Sequence, residues 1–104
     1  MAGGQRKKLW ILWRKWRMND FTFTAQGFND YLHWQMQDRK TLKKVNNLLE
    51  DIKRNGAMNG IGKPEPLKYR SGYSRRIDDA NRLVYDIDEL QNIRIISCRG
   101  HYED

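Results

Sequence analysis

The order of elements along the chain predicts an α+β fold, a small antiparallel sheet packed against an N-terminal helix pair. Apolar residues recur at helical spacing through two consecutive segments, 26–37 and 38–54. Beyond residue 65 the chain turns to short β-rich runs punctuated by turn residues. Helices followed by a block of strands, rather than alternating with them, segregate into layers. With 104 residues the chain makes one small domain with a modest core.

Residues 1–17 read as an appendage, an upstream leader or expression scar, and Met18 as the opening of the domain that runs to residue 104. Trp10, Trp13 and Trp16 recur every three residues, so on a helix they would drift around it rather than hold one stripe. DFTFTA at 20–25 alternates and carries β-branched and aromatic residues, which predicts a short strand. Gln26 to Gln37 then places Phe28, Tyr31, Leu32 and Gln35 at helical spacing. Asp38 is suited to cap a second helix ending near Arg54, with Leu42, Val45, Leu48, Leu49 and Ile52 as its apolar stripe. NGAMNGIGK at 55–63 is a loop, marked by three glycines and two asparagines. Strands are expected near 66–70, 73–78, 82–88 and 92–99, joined by turns at Ser71-Gly72, at DDAN (78–81) and at DELQN.

Hydrophobic residues are 38% of the chain and aromatics 12%, enough for a packed domain and too many for a disordered one. A single cysteine, Cys98, excludes an intramolecular disulfide and fits a reducing cytoplasm. No stretch approaches the ~20 apolar residues of a membrane span. The net charge of +7 is unevenly placed. Residues 1–17 hold six bases and no acid, whereas 39–76 hold 11 bases against Glu50, Asp51 and Glu65. A basic band on an otherwise near-neutral body predicts a specific anionic surface as partner.

Within that band, GIGKPEPLKYR sets one carboxylate, Glu65, between two prolines. Proline fixes its own φ and biases the preceding residue to extended backbone, so Glu65 has few directions open to it. Taken alone, the stretch suits the stiff entry to a strand with a solvated acid. No Cys/His cluster has metal-ligand spacing, GIGK leads into a strand rather than a helix, and no Ser or Cys sits in a nucleophile signature. What remains is an acid, a cluster of cations and a histidine near the end of the chain. Cleaving RNA by attack of its own 2′-OH requires a base, an acid and cations for the charge that builds on phosphorus. Glu65, His101 and Arg82 with Lys68 and Arg76 could supply these, one arrangement among many.

The run GKPEPLKYRSGYSRRIDDANRLVY, its approach FNDYLHWQMQDRKTLKKVNNLLEDIKR and the ending His101-Tyr102 closely resemble the YoeB/Txe toxins of the RelE group. The resemblance covers nearly all of residues 20–102. It implies a RelE/ParE-like fold and a ribosome-dependent endoribonuclease that cuts mRNA in the A site without metal or other cofactor. It also implies a cognate acidic antitoxin, YefM/Axe-like, with the 70S ribosome as partner, a possible homodimer, and no membrane. Matched residue by residue, Glu65 is the general base, Arg82 the phosphate-stabilising arginine, His101 the general acid and Tyr102 the aromatic that helps place the scissile nucleotide. Lys68, Arg75 and Arg76 match basic residues of the RNA cleft. Lys43 and Lys44 belong to the same basic band and are the further RNA-binding candidates, against the simpler reading of a solvated helix face.

The chain departs from the family pattern in four places. YRSGY is two residues short of the usual hairpin, with Tyr73 where a tryptophan is common. NGAMN lacks the usual proline and phenylalanine, Glu103 and Asp104 follow the tyrosine, and residues 1–17 have no counterpart. Two rival functions are a non-cleaving binder of the ribosome or gyrase on the same fold, and a membrane-active peptide led by the Trp/Lys/Arg segment. A complete Glu65/Arg82/His101/Tyr102 set argues against the first, since a binder has no need of a pinned acid.

Overall fold

The computed structural model of the chain describes residues 20–101; the leader at 1–17, Tyr102 and the Glu103-Asp104 tail lie outside the described residues. The elements run β1 (Phe21–Phe23), α1 (Ala25–Gln37), α2 (Arg39–Asn55), β2 (Glu65–Pro66), β3 (Tyr73–Arg76), β4 (Arg82–Ile87) and β5 (Ile93–Ser97). Five strands form one sheet in the order β1-β5-β4-β3-β2, and the helix pair covers one face of it. The α+β expectation holds, with one correction. Three of the four pairings are antiparallel, but β1 joins β5 in parallel, Phe21 opposite Ile93 and Phe23 opposite Ile95, so the sheet is mixed.

Both helix starts follow from side-chain caps. Thr24 accepts from the Gly27 N–H at 3.0 Å and donates to the Ile96 carbonyl at 2.7 Å, so it caps α1 and ties it to β5. Asp38 accepts from the Thr41 N–H and hydroxyl at the head of α2. Hydrogen bonds from Thr41 hold the Asp38 carboxyl below the usual carboxylate range. Gly56, at φ 88°, closes α2 with its N–H on the Ile52 carbonyl.

The α2 stripe packs as its spacing predicts: Val45, Leu48, Leu49 and Ile52 are buried and Leu42 is partly so. On α1 the inward face differs from the expected Phe28/Tyr31/Leu32/Gln35 set. Gly27, Asp30 and Trp34 are buried, while Phe28 is half exposed and Gln35 exposed. A Cβ on Gly27 would come within 2.3 Å of the Ile95 carbonyl, so only glycine lets α1 lie this close to β5. Asp30 accepts from the Cys98 N–H, and the Trp34 indole donates to the Cys98 carbonyl at 2.7 Å. Polar groups with partners on Cys98, just past β5, act together with Trp34's burial in the core to turn this helix. Burial, reinforced by Asp30, pushes the Cys98 thiol up to about 12.

The strand expected at 66–70 shrinks to Glu65–Pro66, because Pro66 has no N–H to donate and the chain turns back through Leu67 N–H to the Gly72 carbonyl. Among the described residues no helix is long and apolar enough to cross a membrane.

Candidate active site

Alternation along the strands sorts the basic residues between two faces. Tyr73, Arg75 and Ile77 point toward the helices with Leu83 and Tyr85, while Ser74 and Arg76 point the other way. Arg75 is therefore fully buried, at 0% exposure. Its guanidinium donates to Asp51 on α2, to the Tyr85 hydroxyl at 2.9 Å, and to the carbonyls of Gly56, Asn59 and Ile61 at 2.8, 2.8 and 2.9 Å. Tyr85 in turn donates to the Ala57 carbonyl at 2.6 Å. The RNA contact expected of Arg75 is corrected by this burial: its donors are spent on pinning the 56–61 loop.

Asp51 completes the knot, accepting also from the Ile61 N–H and the Asn55 amide. Burial raises its carboxyl, but the bonds from Arg75, Ile61 and Asn55 outweigh this and leave it below the usual range. Burial likewise pushes the Tyr85 hydroxyl up, opposed but not reversed by Arg75. Asp51 and Tyr85 escaped the sequence reading. The available signal was period two: counting back from Ile77 places Arg75 inside, where a buried guanidinium needs an acid.

The pinned loop delivers the chain to Gly62, whose carbonyl accepts from Arg76 N–H at 2.6 Å, and then through Lys63 and Pro64 to Glu65. On β2, Glu65 lies opposite Ser74 of β3, which lies opposite Val84 of β4; Arg82 pairs with Arg76. Glu65, Ser74, Arg76 and Arg82 thus share the face turned away from the helices. There the Arg82 guanidinium donates to the Glu65 carboxylate at 3.1 Å and lies 3.5 Å from the Ser74 hydroxyl. The Glu65 side chain is 59% exposed and that of Arg82 32%, so the pair is open to an incoming ligand.

His101 is exposed and follows Gly100, whose carbonyl accepts from Arg82 N–H at 3.0 Å. The Gly100 N–H donates to the Asn81 side chain at 2.8 Å, which is itself held by Asp78. Gly100 is therefore fastened to the start of β4, beside Arg82. Arg76 is exposed and paired with Asp79; Lys43 and Lys44 are exposed on α2, and Lys68 is exposed in the turn after β2. Three of the four matched catalytic positions, Glu65, Arg82 and His101, fall in the described residues. The structure pairs the first two directly and ties Gly100, the residue before the third, to Arg82's backbone. Among the described residues no group of three or more His, Cys, Asp or Glu is gathered as for a metal.

A family model, the YoeB-like toxin of bacterial type II toxin–antitoxin systems, matches residues 23–102. The chain belongs to this family. A YoeB toxin of Streptomyces coelicolor is 52% identical over 83 residues, covering 78% of this chain and 96% of its own length. Toxin RelK of Mycobacterium tuberculosis is 41% identical over 87 residues, 82% of this chain and all of its own. Among solved structures, the YoeB dimer from Staphylococcus aureus superposes with a TM-score of 0.76 at 50% identity, covering 81% of this chain and 98% of that one. A YoeB–YefM complex from the same organism matches at 0.75 and 49%, with the same coverage. The YoeB family fold thus extends over the paired Glu65 and Arg82 and the tethered Gly100.

Proposed function

We propose that this YoeB-family toxin is a ribosome-dependent endoribonuclease that cleaves mRNA in the A site without a metal. The observation that carries the reading is the Glu65–Arg82 pair on an open sheet face, with His101 one residue beyond the Gly100 carbonyl that Arg82 N–H holds. Glu65 takes the proton of the 2′-OH, and the freed oxygen attacks the adjacent phosphorus. The bond to the 5′-oxygen breaks, His101 supplies that oxygen with its proton, and a 2′,3′-cyclic phosphate and a 5′-hydroxyl remain. A guanidinium has five donors, so Arg82 can keep one on Glu65 while others meet the phosphate as its charge grows. Tyr102 stacks on the scissile nucleotide, and Lys43, Lys44, Lys68 and Arg76 steer the RNA and ribosome backbone.

The partner that silences the toxin is an acidic, YefM-like antitoxin whose segment folds across the basic cleft in the cytoplasm. The Staphylococcus aureus relative solved with YefM supports this, and its dimeric form supports a homodimer of this chain. The test is primer extension on a translated message with and without ribosomes. Defined cuts within codons, only with ribosomes and absent for Glu65→Gln, are expected. Stalled ribosomes on an intact message would instead mean a blocker.

A further inference from the structure

A pocket of about 560 Å³ opens between α2, the pinned loop and the β3–β4 turn. Its cationic wall is Lys44, Lys63 and Arg76, its floor is Leu48 and Ile61, and Asn47 stands at the rim. The volume lies in the range of small-ligand sites, which run from ~300 to 1,000 Å³.

The pocket is set up for an anion with an apolar body. Lys63 adopts φ 51°, left-handed backbone for a residue that precedes a proline and would otherwise be extended. That strain is maintained because Arg75 fixes the loop before it and Gly62 packs against Leu48, where a Cβ would come within 2.7 Å. Its ammonium makes no hydrogen bond or ion pair among the described residues. The two acids of the wall are engaged: Asp78 accepts from Ala80, Asn81 and the Asn81 side chain, and Asp79 pairs with Arg76. That last pair is exposed, so Arg76 exchanges Asp79 for a phosphate at small cost. Arg76 also stands opposite Arg82 in the β3–β4 register, so one backbone pair links the pocket's lining to the Glu65–Arg82 pair.

We propose that this pocket is a nucleotide subsite for the RNA strand beside the scissile phosphate. A phosphate sits on Lys63, Lys44 and Arg76, the base lies over Leu48 and Ile61, and the Asn47 amide reads its edge. The proposal rests on Glu65 and Arg82 being the cleavage site. An RNA strand, rather than an acidic protein segment, is favoured by the apolar floor with a single amide at its edge, which suits one planar base.

The test uses the full chain and a 2′-O-methyl RNA hexanucleotide, which binds but has no 2′-OH to attack. Saturable NMR shifts at Asn47, Ile61, Gly62 and Ile77 are expected. Lys63→Ala should flatten the slope of log affinity against log salt by about 0.7, the value of one single-strand phosphate. Asn47→Ala, an exposed change, should weaken binding and leave the slope alone. No shifts at these positions, an unchanged slope for Lys63→Ala, or tighter occupation by an acidic hexapeptide than by the RNA would overturn the proposal. Cleavage by the wild type with an unoccupied pocket would sink the subsite alone. An occupied pocket on a protein that never cuts would sink the cleavage reading and keep the subsite.

Discussion

Glu65 of β2 and Arg82 of β4 meet at 3.1 Å over β3, with Ser74 of the intervening strand beneath them. The carboxylate proposed as the base and the guanidinium proposed to meet the phosphate are thereby held in register by three strands. Their separation in sequence, 17 residues, is bridged by backbone pairing rather than by a flexible loop.

Replacing Glu65 by Gln keeps its shape and its contact with Arg82 while removing the base. Cleavage on ribosomes should fall by ~10²–10⁴. Because the side chain is largely exposed, thermal melting should stay within about 2–4 °C of wild type, as about ±0.5 kcal/mol is usual for such sites.

For Arg82→Ala the loss should appear in the single-turnover rate, by ~10²–10³, as when one donor to a developing oxyanion is removed. Ribosome affinity should change far less. A collapse of binding with the rate preserved would make Arg82 a docking residue.

Arg75 predicts the opposite phenotype. Arg75→Met leaves the partly buried Asp51 without its cation and the loop carbonyls without their donors, and breaking a buried pair costs ~3–5 kcal/mol. Against a total stability of ~5–15 kcal/mol the protein should melt far lower. Arg75→Lys should not rescue it, since a point charge cannot serve five partners. A Lys variant with native melting and lost cleavage would return Arg75 to the RNA.

Acid sensitivity follows from Asp51 and Asp78. Both are lowered on folding, Asp51 as above, and Asp78 because bonds from Asn81 and Ala80 overcome the upward push of burial. The folded state therefore binds fewer protons than the unfolded one near the ordinary carboxylate value of ~3.9. Their stabilisation is in full force above that pH and is lost as pH falls through and below it. Denaturant titrations from pH 6 to 2 should show this decline, and Asp51→Asn should start less stable and decline less steeply.

The sequence made α2 legible in full, from its Asp38 cap to its stripe, because cap chemistry and period 3.6 are local. The strand blocks and turns were legible for the same reason. Three features were not. The parallel β1–β5 pair depends on residues 72 apart, for which no local pattern exists. The inward face of α1 is chosen by Asp30 and Trp34 bonding to Cys98, which hydrophobic spacing cannot see. Arg75 and Arg76 are neighbours in one motif with opposite fates, and only strand register separates them. Of the site, Glu65, Arg82 and His101 stand out by residue type as one arrangement among many and receive definite roles only through family resemblance, whereas Ser74 and Lys63 acquire meaning only from their surroundings.

The pairing of β1 with β5 also orders the events of folding. The two strands lie 72 residues apart, so β1 cannot find its place until both helices and the intervening strands have been made. Long-range closure of this kind is slow relative to local helix formation. The β5 edge that β1 covers is therefore the last part of the sheet to be sealed.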